Sequence, residues 1–160
     1  MQFQIREKTS EDNKWIVPYM RENWGSEKIV TRNTLYDATG LPGFIAEFNN
    51  RPAGIILYNI KDKECEITLL ASFIEKRGIG SSLINRVKEI AKSQGCMRIW
   101  LITTNDNTHA IRFYQKRGLV LAALYKNAIE ESRKIKPEIP FEGFDGIPIR
   151  DELELELVLE

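Results

Sequence analysis

The 160 residues carry 23 basic and 23 acidic side chains, one histidine and two cysteines, with 42% hydrophobic residues and a formal net charge of zero. That length supplies one hydrophobic core, and the neutral balance argues against general electrostatic binding of nucleic acid or an anionic membrane. The opening MQFQIREKTSEDNK lacks a signal-peptide core, and no run approaches the ~18 apolar residues that cross a bilayer, so a cytoplasmic protein is the expectation. Cys65 and Cys96 stand apart in apolar surroundings, and with His109 alone and no CxxC spacing they read as buried thiols, with no metal site.

In chain order, Phe3–Lys8 alternates as a half-buried strand. Ser10 offers a helix N-cap, with Glu11 and Asp12 at the positive end and Trp15, Ile16, Tyr19 and Met20 as the apolar face; Pro18 predicts a kink or a later start. From Asn23 to Pro42 the signal is weak. Gly43–Phe48 and Ala53–Ile60 flank the turn-forming NNRP and read as a hairpin, and KDKE leads into a third strand, Glu64–Ser72. In that strand Cys65, Ile67 and Leu69 alternate with Glu64, Glu66 and Thr68.

FIEKRGIGSSLINRVKEIAKSQG follows. Leu83, Ile84, Val87, Ile90 and Ala91 have helical spacing, and Gly95 supplies a stop. Arg98–Thr104 reads as a strand, Asn107 caps a helix running to Arg117, and Leu119–Tyr125 reads as another strand. Ala128–Lys136 predicts a turn or two of helix before the loop KPEIPFEGFDGIP. The closing ELELELV predicts a strand with its glutamates outward, closing a sheet edge. No repeat or linker interrupts residues 1–160, so a single domain is expected.

The glycine turn raises the question of chemistry. It is not a Walker loop, because Gly78 and Gly80 are followed by Ser81, Ser82 and Leu83 with no lysine in place. It is not the dinucleotide GxGxxG either, since Leu83 stands where the third glycine belongs and antiparallel strands precede the turn. A strand, a turn rich in backbone N–H groups and a helix N-terminus remain, which suits an anion, although a plain tight turn accounts for these residues equally well.

A second segment, TTNDNTHAIRFYQKRGL, bears on this. Asn107, Ala110, Tyr114 and Gly118-Leu119 match NxxAxxxYxxxGF except at the last position. With EKRGIGSSLI upstream, the chain resembles the GCN5-related N-acetyltransferase (GNAT) superfamily over nearly its whole length. The resemblance implies an α/β (α+β) fold, with a mixed, mostly antiparallel central sheet of about six to seven strands flanked by helices and splayed at a cofactor cleft.

The resemblance further implies that acetyl-CoA, as co-substrate, is held by Leu70, Ala71 and Ser72, by the turn Glu75, Lys76, Arg77, Gly78, Ile79, Gly80, Ser81 and Ser82, and by Asn107, Ala110 and Tyr114. An N–H near Leu70 would polarise the thioester carbonyl. Tyr114 takes the place of the general acid, and Glu64 that of the strand base, with Glu66 beside it on the same polar face; His109 is the other titratable candidate. The acceptor would be a primary amine of a small molecule or protein. Trp24 and Tyr36, with Trp15 and Arg21, fall where one wall of its pocket belongs, and the loop Glu138–Pro148 where another does. Homodimer formation is left open. The family prefers Arg or Gln where Glu75 stands, which keeps an alternative alive: a catalytically weak acetyl-CoA-binding regulatory module of the same fold.

Overall fold

The computed structural model of the protein describes residues 2–75 and 77–160. In chain order it contains β1 (Gln4–Glu7), α1 (Asn13–Trp24), β2 (Lys28–Thr31), β3 (Thr34–Asp37), β4 (Gly43–Phe48), β5 (Arg51–Lys61), β6 (Glu64–Ser72), α2 (Ile79–Ser93), β7 (Arg98–Thr104), α3 (Thr108–Lys116), β8 (Val120–Tyr125), α4 (Ala128–Ile135) and β9 (Glu152–Val158). Seven strands form one sheet in the order β1-β4-β5-β6-β7-β9-β8; β2 and β3 pair separately. Every contact in the large sheet is antiparallel except β6 with β7.

Local chemistry explains the hairpins. Asn49-Asn50 and Asp62-Lys63 both lie at positive φ, as a two-residue turn matching the right-handed strand twist requires. Arg32-Asn33 uses the same device to join β2 to β3, a hairpin whose four-residue strands leave little periodicity to detect. The helix entry is capped one residue earlier than expected. Thr9 is the cap of a short 3-10 turn before α1, and its amide donates to Asp12 Oδ2 at 2.8 Å. Helix α1 runs through Pro18 to Gly25, which ends it at φ 83°; the ring removes the amide that would have bonded the Lys14 carbonyl.

The sheet is buried on both faces. Ile16 and Met20 of α1 cover Ile45, Ile55 and Leu57 on one side. On the other, Ile79, Leu83, Ile84, Val87 and Ala91 of α2 cover Phe44, Ile56, Cys65 and Ile67. Each Ile, Leu, Val, Met or Phe side chain among them contributes about 1.5–3 kcal/mol on leaving water. Cys65 and Cys96 are buried free thiols. Among the described residues, no helix is long and apolar enough to cross a membrane.

The last strand departs from expectation. β9 lies between β7 and β8 and is not an edge; β1 and β8 hold the edges. Its glutamates do not all face water: Glu152 is 2% and Glu154 is 8% exposed. The β2–β3 hairpin, β7 and β8 bring their partners. Arg32 bonds Glu152 at 3.1 Å, Tyr125 donates to Glu154 at 2.9 Å, and Arg98 reaches Glu154 at 2.8 Å and Glu156 at 3.0 Å.

Candidate functional site

β6 and β7 pair only from Glu64–Arg98 to Ile67–Leu101, although β6 continues to Ser72 and β7 to Thr104. Each keeps its outer neighbour along the way, β5 and β9 respectively, so the two strands part like a wedge. The Phe73 amide donates to the Ala53 carbonyl at 2.8 Å. By the alternation of a strand, Ala71 therefore also turns its amide to β5, while Leu70 and Ser72 turn theirs into the opening. A bulge precedes this stretch: Leu57 faces Leu69 but Tyr58 faces Ile67, leaving Thr68 unmatched. Thr68 Oγ1 is buried with no hydrogen-bond partner among the described residues.

The wedge leads into a cleft of about 760 Å³. Thr68, Leu69, Leu70, Asn107, Ala110 and Tyr114 line one part; Trp24, Lys28, Thr31, Lys136, Phe144 and Glu152 line another. Asn107 caps α3, its Oδ1 accepting the Ala110 amide at 3.2 Å. Tyr114 is 8% exposed, and burial pushes its phenol pKa well up. The neighbouring pair Asn105-Asp106 pins the late loop. Asp106 Oδ2 accepts the Phe144 amide at 3.2 Å, and Asn105 Nδ2 donates to the Pro148 carbonyl at 2.8 Å.

At the mouth, Gly78 caps α2 in the left-handed region at φ 73°, a conformation that side chains rarely adopt. The Ser82 amide bonds the Gly78 carbonyl at 3.0 Å, so Ser82 has no free amide to offer a ligand; the free first-turn amides are those of Ile79, Gly80 and Ser81. Gly80 is small for a reason beyond ligand access: a Cβ there would stand 2.8 Å from the Phe113 ring. Glu75 and Arg77 are exposed, Ser72 donates its hydroxyl to the Ile74 carbonyl, and Lys76 lies outside the described residues. A residue that sequence reasoning missed is Arg117. It donates to Ser81 Oγ at 2.8 Å and stacks on Phe113 at 3.6 Å, bringing a fixed positive charge to the turn that carries Glu75. Its only sequence signal is its place just before Gly118.

The two strand glutamates have different surroundings. Glu64 sits at the closed end of β6, bonded to Arg98 at 2.6 Å. It stands six positions before Leu70, on the order of 20 Å along a strand. Glu66 is 2% exposed and accepts the Thr31 hydroxyl at 2.5 Å and the Tyr36 hydroxyl at 2.8 Å. Burial raises its pKa, the two hydroxyls oppose that, and Glu152 and Glu154 add to it. Tyr36 faces Glu66 and is not among the cleft-lining residues, whereas Trp24 is. Trp15 packs on Tyr19 and Phe73, Arg21 pairs with Glu27, and His109 is exposed on α3. Among the described residues, no group of three or more His, Cys, Asp or Glu side chains is arranged to hold a metal ion.

The Glu66 shift makes a stability prediction. The unfolded carboxyl titrates near its ordinary 4.5 and the native one higher. The native state therefore binds more protons in the window above 4.5, and its stability falls as pH rises through it. Glu66→Gln removes that slope. Urea denaturation at a series of pH values from 4 upward should show wild type losing ground to the variant; a difference independent of pH would refute the assignment.

The chain matches the model of the Acetyltransferase (GNAT) family over residues 10–119. It is 42% identical over 146 residues to the uncharacterized protein YdhI of Bacillus subtilis, covering 91% of each chain. With the uncharacterized protein YxbD of the same organism it shares 43% identity over 136 residues, covering 84% of this chain and 86% of the relative. Among solved structures, an IAA acetyltransferase from Bacillus cereus superposes with a TM-score of 0.72 at 18% identity, over 99% of this chain and 100% of that one. A GNAT family acetyltransferase from Elizabethkingia anophelis with acetyl-CoA bound gives 0.68 at 21% identity, over 98% of both. At these identities the structural likeness is one of fold.

Proposed function

The chain belongs to the GNAT acetyltransferase family, and on that premise we propose that it transfers the acetyl group of acetyl-CoA to a primary amine by direct attack in a ternary complex. The observation that carries this reading is the wedge between β6 and β7, where the unpaired Leu70 amide and the buried Tyr114 border one cleft. Such an edge and a helix start with free amides suit a pantetheine arm and a pyrophosphate. Acetyl-CoA brings an activated acyl thioester.

The protein's own groups would act as follows. The Leu70 N–H donates to a carbonyl oxygen, where charge develops. Asn107 holds the start of α3 against the arm. Tyr114 keeps its proton at Oη through any working pH, because burial raises its pKa, and it donates that hydrogen to the leaving sulfur. A lysine-like amine near pKa 10.4 is mostly protonated at pH 7.4, a cost of about 4 kcal/mol. Glu66 has the proton affinity of a buried base but lies behind Thr31, whose hydroxyl donates to it and which itself lines the cleft. Thr31 Oγ1 would accept the amine proton as its own passes to Glu66, leaving both hydroxyl and amine neutral.

Release of free thiol from acetyl-CoA over a panel of amines tests the reading. Turnover with at least one primary amine is expected. Coenzyme A binding with no thiol release from any amine would instead favour the regulatory module to which Glu75 points.

A further inference from the structure

The far wall of the cleft carries a cation that the transfer itself does not use. Lys136 follows the last turn of α4, is 8% exposed, and donates from Nζ to the Lys28 carbonyl at 2.8 Å. Its neighbours among the cleft-lining cations have acidic partners: Lys28 Nζ meets Asp37 at 2.7 Å. Arg32, on the hairpin beside the cleft, meets Glu152 at 3.1 Å. Lys136 forms no such pair among the described residues; the acidic group whose field reaches it is Glu138, which is exposed and lines the same cleft.

Lys8, which is half-buried, shows what a satisfied lysine looks like. Lys8 gives its ammonium to three carbonyls, of Ala38, Thr39 and Leu41, at 3.1, 3.1 and 2.7 Å. An ammonium has three donors. Lys8 uses all of them within the chain, and Lys136 uses one. Taking a charge out of water without a partner is costly, so a buried ammonium with open donors on a cleft wall suits an anionic group entering from the cleft.

We propose that Lys136 binds a carboxylate on the acceptor, so that the acceptor is an amine carrying a carboxylate. This rests on the transferase reading above. Strand β2 sets the spacing. Its Lys28 end meets Lys136 and its Thr31 end meets Glu66, three residues or roughly 10 Å apart. The carboxylate docks at one end and the amine at the other, with a chain of a few carbons between them in a cleft whose apolar lining includes Met20, Ile29 and Ile139. Ser132, 1% exposed, lies in the same wall with its hydroxyl donating to the Ala128 carbonyl at 3.3 Å, so Lys136 is the donor this end of the cleft offers.

The test pairs ω-amino carboxylates of increasing length with the plain amines of equal length, in thiol-release assays with the whole protein. Wild type should show at least about a tenfold higher kcat/KM for the carboxylate-bearing member at the best length, the scale of one charge-assisted hydrogen bond. Lys136→Met should bring that ratio to about one, and Lys136→Arg should keep most of it. A wild-type ratio near one, or a ratio unchanged in Lys136→Met, overturns the proposal, and the wild-type ratio decides even if the variant misfolds. Calorimetric titration with a straight-chain carboxylate in the presence of coenzyme A separates the two readings. Carboxylate binding that Lys136→Met abolishes, without turnover of any amine, leaves this site standing and removes the transferase. Neither binding nor preference removes the site.

Discussion

Tyr114→Phe is expected to lose about a hundredfold or more in kcat while its affinity for coenzyme A changes by less than about threefold. The substitution removes one oxygen and leaves the ring that packs edge-on against Phe113 at 5.3 Å. The Tyr114 backbone carbonyl, which accepts the Arg117 and Leu119 amides at 3.0 and 3.1 Å, is untouched. The close of α3 and the cleft wall therefore survive, and what is lost is the hydrogen offered to the leaving sulfur. A phenol near pKa 10 facing a thiol near 8.5 is mismatched by about 2 kcal/mol, and burial widens that gap. Tyr114 thus acts best by hydrogen-bonding sulfur as charge develops. Steady-state thiol release beside calorimetric titration of coenzyme A checks this. Equal turnover would move the proton donor elsewhere.

The second large effect comes from a residue outside both glycine motifs. Gly54→Val should cost about 1–3 kcal/mol of stability and weaken coenzyme A binding by at least about tenfold. A Cβ at Gly54 would stand 2.7 Å from Ile79 Cγ2, 3.0 Å from the Ala71 carbonyl oxygen and 3.4 Å from Leu83 Cδ1. Gly54 is thus the seat on which the first turn of α2 rests against β5 and β6. Lifting that turn moves the free amides of Ile79, Gly80 and Ser81 together, along with Ser81's bond to Arg117. Urea denaturation and calorimetry separate the two effects. Lower stability with unchanged affinity would mean that the first turn of α2 does not hold the ligand.

Much of this was legible from local chemistry. Turn residues at Asn49-Asn50 and Asp62-Lys63, the alternation of Glu64–Ile67 and the cap at Asn107 each depend on a few neighbours, so reading them needs no tertiary knowledge; Leu69, read on the face of Cys65 and Ile67, lies on the other one because of the bulge at Thr68. The family resemblance, and not local chemistry, pointed to Leu70, Asn107, Ala110 and Tyr114, and the fold brings these four to one cleft. What escaped depends on distant partners. Alternation in ELELELV reveals two faces but not which face is wet, and the hairpin that covers Glu152 comes some 120 residues earlier. Glu64 and Glu66 look alike in sequence; Arg98 holds one, while Thr31 and Tyr36 enclose the other. Thr31, Arg117 and Lys136 carry no motif, and only the fold gives them neighbours that make them chemically interesting.

Thr68, the unmatched residue of β6, acts as a reading-frame shift in the pleat. Upstream, Glu66 shares a side of the sheet with the hairpin, and downstream Leu69 and Ala71 share it with α1 while Leu70 packs with the α2 side. Two incompatible phases are thus spliced into one strand. A one-residue deletion at Thr68 would put Ile67 and Leu69 side by side on the opposite faces they already occupy, erasing the bulge and leaving both apolar layers filled. Such a deletion should therefore be tolerated by the core and felt at the wedge, where β6 loses the bend that a bulge gives a strand.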